Sequence, residues 1–311
     1  MNDFIYSNDN KRYHTFNYYL KNKYDSKVFK VSLNADFSCP NRDGKVAYGG
    51  CSFCSALGSG DFAGNRVDNL NKQFDDIKEK MHHKWQDGKY IAYFQAYTNT
   101  YAPLNILKET FQPFINKEGV VALSIATRPD SLEDDVIEYL GSLTNKVDIW
   151  IELGLQTTYD ATATSFNRGY NYDVFLDTIK RLEKTNIKVC IHMINGFMNE
   201  TKEMMIENIR RISHLPIDGI KIHMLHLIKG TKMANEYLAN DSELLSLEEY
   251  VEIVVKQLEL LPPTMIIQRL TGDANKDELL AQEWTLNKTN VLNSIDKYMA
   301  KNNVLQGDKY E

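Results

Sequence analysis

The 311-residue sequence lacks any stretch that approaches the roughly 18 unbroken apolar residues of a membrane-spanning helix. Its N-terminal segment, MNDFIYSNDNKRYH, is polar where a secretory signal would be apolar. With 43% hydrophobic and 25% charged residues, the composition is typical of a globular protein. These features predict a cytoplasmic protein that has no membrane partner.

The chain also has no excess of positive charge, because its formal net charge is −6. A surface that is basic throughout is therefore excluded, and a nucleic-acid partner would need a local patch. One candidate patch spans residues 11–30, where basic and aromatic side chains are interleaved. The basic members are Lys11, Arg12, Lys21, Lys23, Lys27 and Lys30, and the aromatic members are Tyr13, Phe16, Tyr18, Tyr19 and Tyr24. This stretch is either an amphipathic helix packed on the flank of the fold or a contact for nucleic acid.

No linker rich in Pro, Gly or Ser interrupts the sequence. Short β-branched runs alternate with amphipathic helical stretches, which is typical of a parallel sheet with crossover helices. The predicted strands are 28–33, 90–96, 120–126, 147–155, 187–194, 219–227 and 264–270, and the clearest helices are 66–86, 131–143, 172–184, 200–213 and 246–260. The pattern predicts an α/β fold with a full or partial (βα) barrel, whose functional residues lie at the C-terminal ends of the strands. We divide the chain into an N-terminal basic and aromatic extension (1–27), the barrel (28–274) and a C-terminal helical cap (275–311).

Cysteine is scarce, with four residues in the chain, but Cys39, Cys51 and Cys54 lie within sixteen residues as C-x11-C-x2-C. The cytosol keeps thiols reduced, so this crowding indicates metal binding or redox chemistry rather than disulfides. Three thiolates hold three irons of a four-iron cube and leave the fourth iron open to another ligand. Glycines in the intervening segment would let the loop bend back on itself. Phe53, between the last two cysteines, would cover one face of such a site or would be ordinary core.

Two other interpretations of the cysteines remain open. A zinc site needs a fourth ligand, for which His82 or His83 would have to be recruited. A dithiol redox pair at Cys51 and Cys54 would leave Cys39 unexplained. The fourth cysteine, Cys190, lies in a predicted strand and is expected to be a buried free thiol.

Over nearly its whole length, from the Tyr13-to-Lys30 stretch through the CPNRDG segment at 39–44 to the RLTGDA segment at 269–274, the chain resembles radical S-adenosylmethionine proteins. The resemblance is to a small bacterial family with the CPNRDG segment (the YtqA-like family), related to the elongator catalytic subunit and to oxygen-independent coproporphyrinogen oxidase. It implies a barrel of the radical S-adenosylmethionine type. It also implies a four-iron, four-sulfur ([4Fe–4S]) cluster on Cys39, Cys51 and Cys54, with S-adenosyl-L-methionine as the second cofactor.

The resemblance further implies which residues contact S-adenosylmethionine. Thr98 in QAYTNT would meet the methionine amino group, Gln156 in ELGLQ the ribose, and Arg168 in NRG the methionine carboxylate. The HMINGFMNE segment would lie behind the adenosine. The complete set is Phe53, Thr98, Glu152, Gln156, Arg168, His192, Ile194 and Leu225. Taken singly, Glu152 and His192 are also compatible with satisfied polar groups inside the barrel, and Arg168 with a surface arginine. Ala126 departs from the pattern, because several relatives have a glutamate there.

The function implied is that of an enzyme that generates a 5′-deoxyadenosyl radical and takes a hydrogen atom from its substrate. The expected substrate is the C5 side chain of the tRNA wobble uridine, as in conversion of the carboxymethylaminomethyl to the aminomethyl group. The basic N-terminal stretch would then bind tRNA in a salt-dependent way, and an electron donor such as flavodoxin or ferredoxin would reduce the cluster. A radical enzyme acting on a small metabolite and a zinc-stabilised, non-catalytic RNA-binding barrel are the alternatives.

Overall fold

A computed structural model describes residues 3–56, 58, 60, 62–82, 87–240 and 242–311. Seven parallel strands form one curled sheet, in which the first six are arranged in chain order and the last joins the edge beside the sixth. They are β1 (Val28–Leu33), β2 (Lys89–Phe94), β3 (Val120–Thr127), β4 (Asp148–Gln156), β5 (Lys188–Asn195), β6 (Gly219–Met224) and β8 (Ile266–Arg269). Two short strands, β7 (Leu227–Ile228) and β9 (Leu279–Ala281), pair antiparallel beside it. The predicted partial barrel is confirmed.

Helices surround the curled sheet. They are α1 (Phe16–Tyr24), α2 (Leu70–His82), α3 (Leu104–Ile115), α4 (Asp134–Leu143), α5 (Asp160–Ser165), α6 (Tyr172–Leu182), α7 (Lys202–Ile212), α8 (Lys232–Asn240), α9 (Leu247–Leu260) and α10 (Lys288–Asn302). Outward-facing strand residues such as Leu123, Leu153 and Ile222 are fully buried against these helices and form the main hydrophobic core. Helix α10 packs beside α9. Among the described helices, none is long and apolar enough to cross a membrane.

Alternate residues of each strand point into the barrel, and those nearest the strand starts are apolar. Together with Leu20 of α1, they form a buried cluster that we call the plug; its strand members are Val28, Ile91, Ala122, Trp150, Cys190 and Ile266. Phe16 and Tyr19 of α1 pack edge-on against the Trp150 ring, with centroids 5.8 and 5.9 Å away. Helix α1 therefore closes the end of the barrel where the strands begin.

The N-terminal stretch forms part of this closed end of the barrel. Helix α1 contacts both edge strands, β1 and β8, and the Ile267 amide donates to the His14 carbonyl at 2.8 Å. Several of the basic side chains also have acidic partners: Lys11 pairs with Asp296 at 2.5 Å, and Lys23 pairs with Asp148. The structure therefore agrees with a packed helix at Phe16–Tyr24, although this helix closes the end of the barrel instead of lying on its flank, and residues 28–30 belong to β1.

Candidate active site

A cavity of about 550 Å³ opens where the barrel strands end. All eleven residues singled out from the sequence line it: the cysteines Cys39, Cys51 and Cys54, with Phe53, Thr98, Glu152, Gln156, Arg168, His192, Ile194 and Leu225. They come from the β1 loop and from four strands or strand ends, which are far apart in the chain. Their convergence on one cavity is what a barrel predicts for residues at its C-terminal face.

The cysteine loop after β1 is held by the segment that follows α5. Asn41 donates to the Asn167 carbonyl at 2.5 Å and lies 3.6 Å from the Cys51 sulfur, while Asn167 donates to the Gly50 carbonyl at 3.0 Å. Gly169 has a φ of +84°, and a Cβ built there would lie 2.5 Å from Asn41 Oδ1. This glycine is required both by its backbone conformation and by the close approach of the loop. The Asn-Arg-Gly segment thus positions the cysteine loop.

The three cysteines are free and partly exposed to the cavity. Cys51 donates a hydrogen bond to the sulfur of Cys54, and this bond lowers the pKa of Cys54 although burial opposes it. The Arg42 guanidinium lowers it further. Arg42 is fixed in turn by the Ser55 carbonyl at 2.5 Å and the Ala56 carbonyl at 3.2 Å. Hydrogen bonding and the nearby cation thus favour the thiolate at Cys54, the form that a metal ligand requires, whereas the same hydrogen bond raises the pKa of Cys51.

A cluster and a single metal ion place different demands on this donor set. Within the described part of the chain, no three His, Cys, Asp or Glu side chains surround a common point as the ligands of one metal ion would. A four-iron cluster needs no such point, because each cysteine binds a different iron. His82 is exposed at the end of α2, and His83 lies outside the described residues. Three free thiols on the wall of one cavity fit a four-iron cluster.

Phe53 belongs to a cluster of aromatic rings behind the cysteine loop. Its ring centroid lies 5.3 Å from that of Phe166 and 6.0 Å from that of Phe197, and the latter two stack at 4.6 Å. Phe53 also lines the cavity. The Phe53 ring therefore packs in this cluster and also borders the cavity between the thiols of Cys51 and Cys54 in the chain.

Thr98 and Gln156 lie at strand ends with their side chains toward the cavity. Thr98 is buried, with 2% of its surface exposed. Gln156 has a φ of +64°, and its buried Oε1 has no hydrogen-bond partner among the described residues. A Cβ on Gly154 would lie 2.6 Å from Gln156 Nε2, so the glycine makes room for this side chain. A buried carbonyl oxygen without a partner is available for a ligand hydroxyl.

Arg168 is neither at the surface nor free. Its guanidinium donates to the carbonyls of Leu155, Thr157 and Tyr170 at 2.6 to 2.9 Å, and it pairs with Asp160 at 3.2 Å. The alternative of a surface arginine is therefore wrong, because backbone carbonyls bind Nε and Nη1 of the buried guanidinium and the Asp160 carboxylate binds Nη2. Its predicted contact with a cofactor carboxylate stays a prediction.

Glu152 lies at the centre of a polar layer above the plug, which comprises Lys30, Tyr93, Ser124, Glu152, His192, Lys221 and Gln268. Its carboxylate accepts from Ser124 and Lys30, each at 2.5 Å, from His192 at 2.8 Å, and from Lys221. Burial alone would raise the pKa of Glu152, but the two ammonium groups outweigh burial and hold it well below its ordinary value. Glu152 is thus a fully satisfied anion between two buried cations.

Four cavity residues that the sequence motifs did not reveal belong to this network or lie close to the thiols: Lys30, Tyr93, Lys221 and Arg128. The Lys30 and Lys221 ammonium groups lie 4.6 and 4.7 Å from the centroid of the Tyr93 ring. Arg128 pairs with Asp130 at 2.6 Å and donates to the Arg168 carbonyl at 2.8 Å. The sequence did carry one indication of this network, because two strands that are otherwise apolar have a lysine at an inward-facing position. Burying a lysine without an acidic partner costs free energy, so each lysine implies a nearby carboxylate.

Comparison with known proteins agrees with this geometry. The family model for the radical S-adenosylmethionine superfamily matches residues 44–212, and that for the radical S-adenosylmethionine C-terminal domain matches residues 217–301. This chain belongs to the radical S-adenosylmethionine superfamily. Members of the superfamily use S-adenosylmethionine, an iron–sulfur cluster and a reductant, so the chain is an enzyme of this type.

Relatives within the superfamily extend over most of the chain. YtqA of Bacillus subtilis strain 168 is 49% identical over 310 residues, covering 100% of this chain and 96% of YtqA. YhcC of Escherichia coli K12 is 33% identical, covering 92% of this chain and 91% of YhcC. Among solved structures, the archaeal elongator protein 3 of Methanocaldococcus infernus superposes with a TM-score of 0.66 at 18% identity. That match covers 89% of this chain but 64% of the archaeal chain, and it shows a shared fold.

Proposed function

We propose that this radical S-adenosylmethionine enzyme modifies the C5 side chain of the tRNA wobble uridine, converting a carboxymethylaminomethyl group to an aminomethyl group. The observation that carries the proposal is the single cavity lined by three free cysteines and all eight implied cofactor residues. The substrate class is supported by the likeness to elongator proteins. One of these, elongator complex protein 3 of Schizosaccharomyces pombe, is 26% identical over 49% of this chain.

In this proposal Cys39, Cys51 and Cys54 hold a four-iron cluster, and Thr98 and Gln156 orient S-adenosylmethionine beside it. When bound, the two cofactors would supply a 5′-deoxyadenosyl radical that removes a hydrogen atom from the carboxymethyl carbon of the substrate. Loss of one electron to the cluster and of one proton would then leave an imine, which water would hydrolyse to the aminomethyl group and glyoxylate. The chain itself positions the reactants and excludes water. The aromatic cluster of Phe53, Phe166 and Phe197 shields the thiols, and the plug closes the far end of the barrel.

The tRNA would approach the mouth of the cavity rather than the N-terminal stretch. A groove next to the cysteine loop is lined by Arg42, Tyr48, Lys229 and Lys232. Tyr48 is 80% exposed, which is unusual for a large aromatic side chain. Exposed aromatic rings among cations suit the unstacked bases and the phosphates of an RNA loop. We expect the affinity for tRNA to fall as salt is raised, because these cations would neutralise phosphates.

The proposal is tested by anaerobic reconstitution with iron and sulfide, followed by an assay for 5′-deoxyadenosine with dithionite. Wild-type protein is compared with Cys54→Ala and with Cys190→Ala, a matched control in the plug that does not line the cavity. We expect Cys54→Ala to lose both the iron and the product, whereas Cys190→Ala keeps both. About one zinc per chain without iron or sulfide would refute the cluster assignment.

The substrate is tested separately from the cluster. Nucleosides from the tRNA of a strain that lacks the gene should contain more carboxymethylaminomethyl-uridine and less aminomethyl-uridine than wild type, and purified enzyme should reverse this difference. Identical nucleosides in the two strains would end the tRNA proposal. If the pure protein still forms 5′-deoxyadenosine but does not bind tRNA at low salt, a small metabolite would be favoured as the substrate.

A further inference from the structure

One wall of the cavity, built by the ends of β6 and β8, presents several polar groups that have no partner among the residues the structure describes. We call it the donor wall; its members are Lys221, His223, His226, Gln268 and Arg269, all of which line the cavity. Nε2 of His223, Nε2 of His226 and Nε2 of Gln268 are buried and have no hydrogen-bond partner among the described residues. Leaving such buried groups unpaired destabilises the protein, because they have lost their water without gaining a partner. A ligand that accepts hydrogen bonds would remove this cost.

The charges around the donor wall favour an anion. Two carboxylates lie close to it, and each is outnumbered by cations. Glu152 is paired with both Lys30 and Lys221, and Asp273 is paired with both Arg269 and Lys288. Each group of three therefore carries one net positive charge. Glu278 also borders the cavity, but it is exposed at the mouth.

The two histidines are neutral donors or acceptors at physiological pH. Burial, assisted by the positive charges of Arg269 and Lys221, keeps the pKa of His223 well below its ordinary value. Burial and Arg269 lower the pKa of His226 to about 4. Gly272 gives the His226 ring its space, since a Cβ there would lie 2.4 Å from His226 Cε1. The wall therefore combines fixed neutral imidazoles with two cationic groups.

We propose that the donor wall is a subsite for a carboxylate carried by the substrate. Its identification with the carboxymethyl group of the modified uridine rests on the function proposed above, whereas recognition of a carboxylate does not. Such a subsite would favour substrate over product, because the aminomethyl product has lost the carboxylate. Hydrogen bonds to a charged group, unlike those to a neutral amide, draw on the positive field of Lys221 and Arg269.

The test uses the anaerobically reconstituted enzyme with S-adenosylmethionine and without reductant, so that no turnover occurs. Two free nucleosides serve as probes: 5-carboxymethylaminomethyl-uridine and its neutral primary amide, which has nearly the same shape. Calorimetry measures the dissociation constant of each. We expect the carboxylate to bind about tenfold more tightly or better, the ratio typical of a hydrogen-bonded charge.

Two variants locate the preference. His223→Phe keeps an aromatic ring but removes the ring nitrogens. Gln268→Glu keeps the oxygen that accepts from Lys30 and replaces the unpaired donor with a negatively charged oxygen. Both should abolish the preference for the carboxylate, and His223→Gln should restore part of it. His214→Phe is the matched control, because His214 stacks on Tyr310 and is absent from the cavity lining. Affinity for S-adenosylmethionine alone should stay unchanged in every variant.

Equal binding of the two nucleosides by wild-type enzyme, or no measurable binding of either, would overturn the inference. An unchanged preference in both cavity variants would do the same. Loss of affinity for S-adenosylmethionine in His223→Phe would assign the wall to the cofactor instead. These results are independent of the tRNA assay: an enzyme that does not modify tRNA still supports the subsite if the carboxylate preference depends on His223.

Discussion

Replacing Glu152 with glutamine would remove the one negative charge that lies between Lys30 and Lys221. Glutamine keeps the shape of the side chain, but its amide has a single oxygen to accept hydrogen bonds where four donors now converge. Breaking a buried ion pair by removing one partner costs about 3–5 kcal/mol. The Lys30 side chain is 22% exposed and would be partly solvated, whereas that of Lys221 is 7% exposed. We therefore expect a loss of about 3 kcal/mol, at the lower end of that range.

This loss is measurable by urea denaturation at pH 7, followed by circular dichroism. Single domains of this kind are stable by about 5–15 kcal/mol, so the variant should still fold. Adding Lys221→Met to Glu152→Gln should cost less than the sum of the two single changes, because the lysine has already lost its partner. Glu252→Gln is the surface control: Glu252 pairs with Lys256 in one exposed helical turn and should contribute less than about 0.5 kcal/mol.

A loss below about 1 kcal/mol for Glu152→Gln would refute the reasoning, since it would fall in the range of exposed pairs. Additive costs in the double variant would also contradict it. Either result would mean that the two lysines find other partners or water when the carboxylate is removed. Glu152 would then not be the group that allows two ammonium ions to be buried in the barrel.

Two further predictions concern pH and the cysteine loop. Burial and the charge of Lys221 lower the pKa of His192 to about 4, and the pKa of His226 is also about 4. Unfolded chains protonate these rings near pH 6.5 while the folded protein does not, so each histidine should remove about 1.4 kcal/mol of stability per pH unit as pH falls between these values. Denaturation curves from pH 7 to pH 5 measure this slope, and a stability that rises on acidification would contradict the burial of neutral imidazoles. Separately, Gly169→Ala should lower the iron bound per chain after reconstitution, because its Cβ would displace Asn41 from the cysteine loop. Gly230→Ala is the control, with a φ of +77° but open space around it, and equal iron in the two variants would show that the contact with Asn41 is unimportant.

The strands were predictable because their apolar runs are long and lie between segments whose hydrophobic residues recur with the period of a helix. Strand β1 was predicted at its observed limits, and α9, which begins after a capping box at Ser246, within one residue. Helix α3 was not predicted, although its apolar face is fully buried; Pro113 lies inside it and argues locally against a helix. The predicted strand through Leu227 stops at Met224, where the chain turns into the pair formed by β7 and β9. Tertiary pairing of this kind has no local signal.

In the candidate site, likewise, some residues could be identified from local sequence patterns, whereas their partners depend on the fold. The cysteine spacing and the strand-end motifs are local patterns, and they identified residues that share one cavity. The partners of those residues are set by the closure of the barrel: Lys30 and Lys221 are 191 positions apart and share Glu152 only because the sheet curls. The partners of Arg168 also depend on the fold, because the Leu155 and Thr157 carbonyls that accept from it lie close to it only where β4 ends and the chain turns back.

Closure of the barrel also decides how the cavity is reached. Phe16 lines the cavity from below, and Leu20 packs with Trp150 in the plug, so the end where the strands begin is filled by side chains. The cofactor and the substrate must then enter through the mouth that the cysteine loop and residues 272–278 border. A nucleic acid seated on that mouth would cover it, whereas S-adenosylmethionine bound within the barrel would not obstruct a later macromolecule. We therefore expect S-adenosylmethionine to bind before tRNA. Excess tRNA should slow the association of S-adenosylmethionine with the free enzyme, but it should not displace S-adenosylmethionine that is already bound.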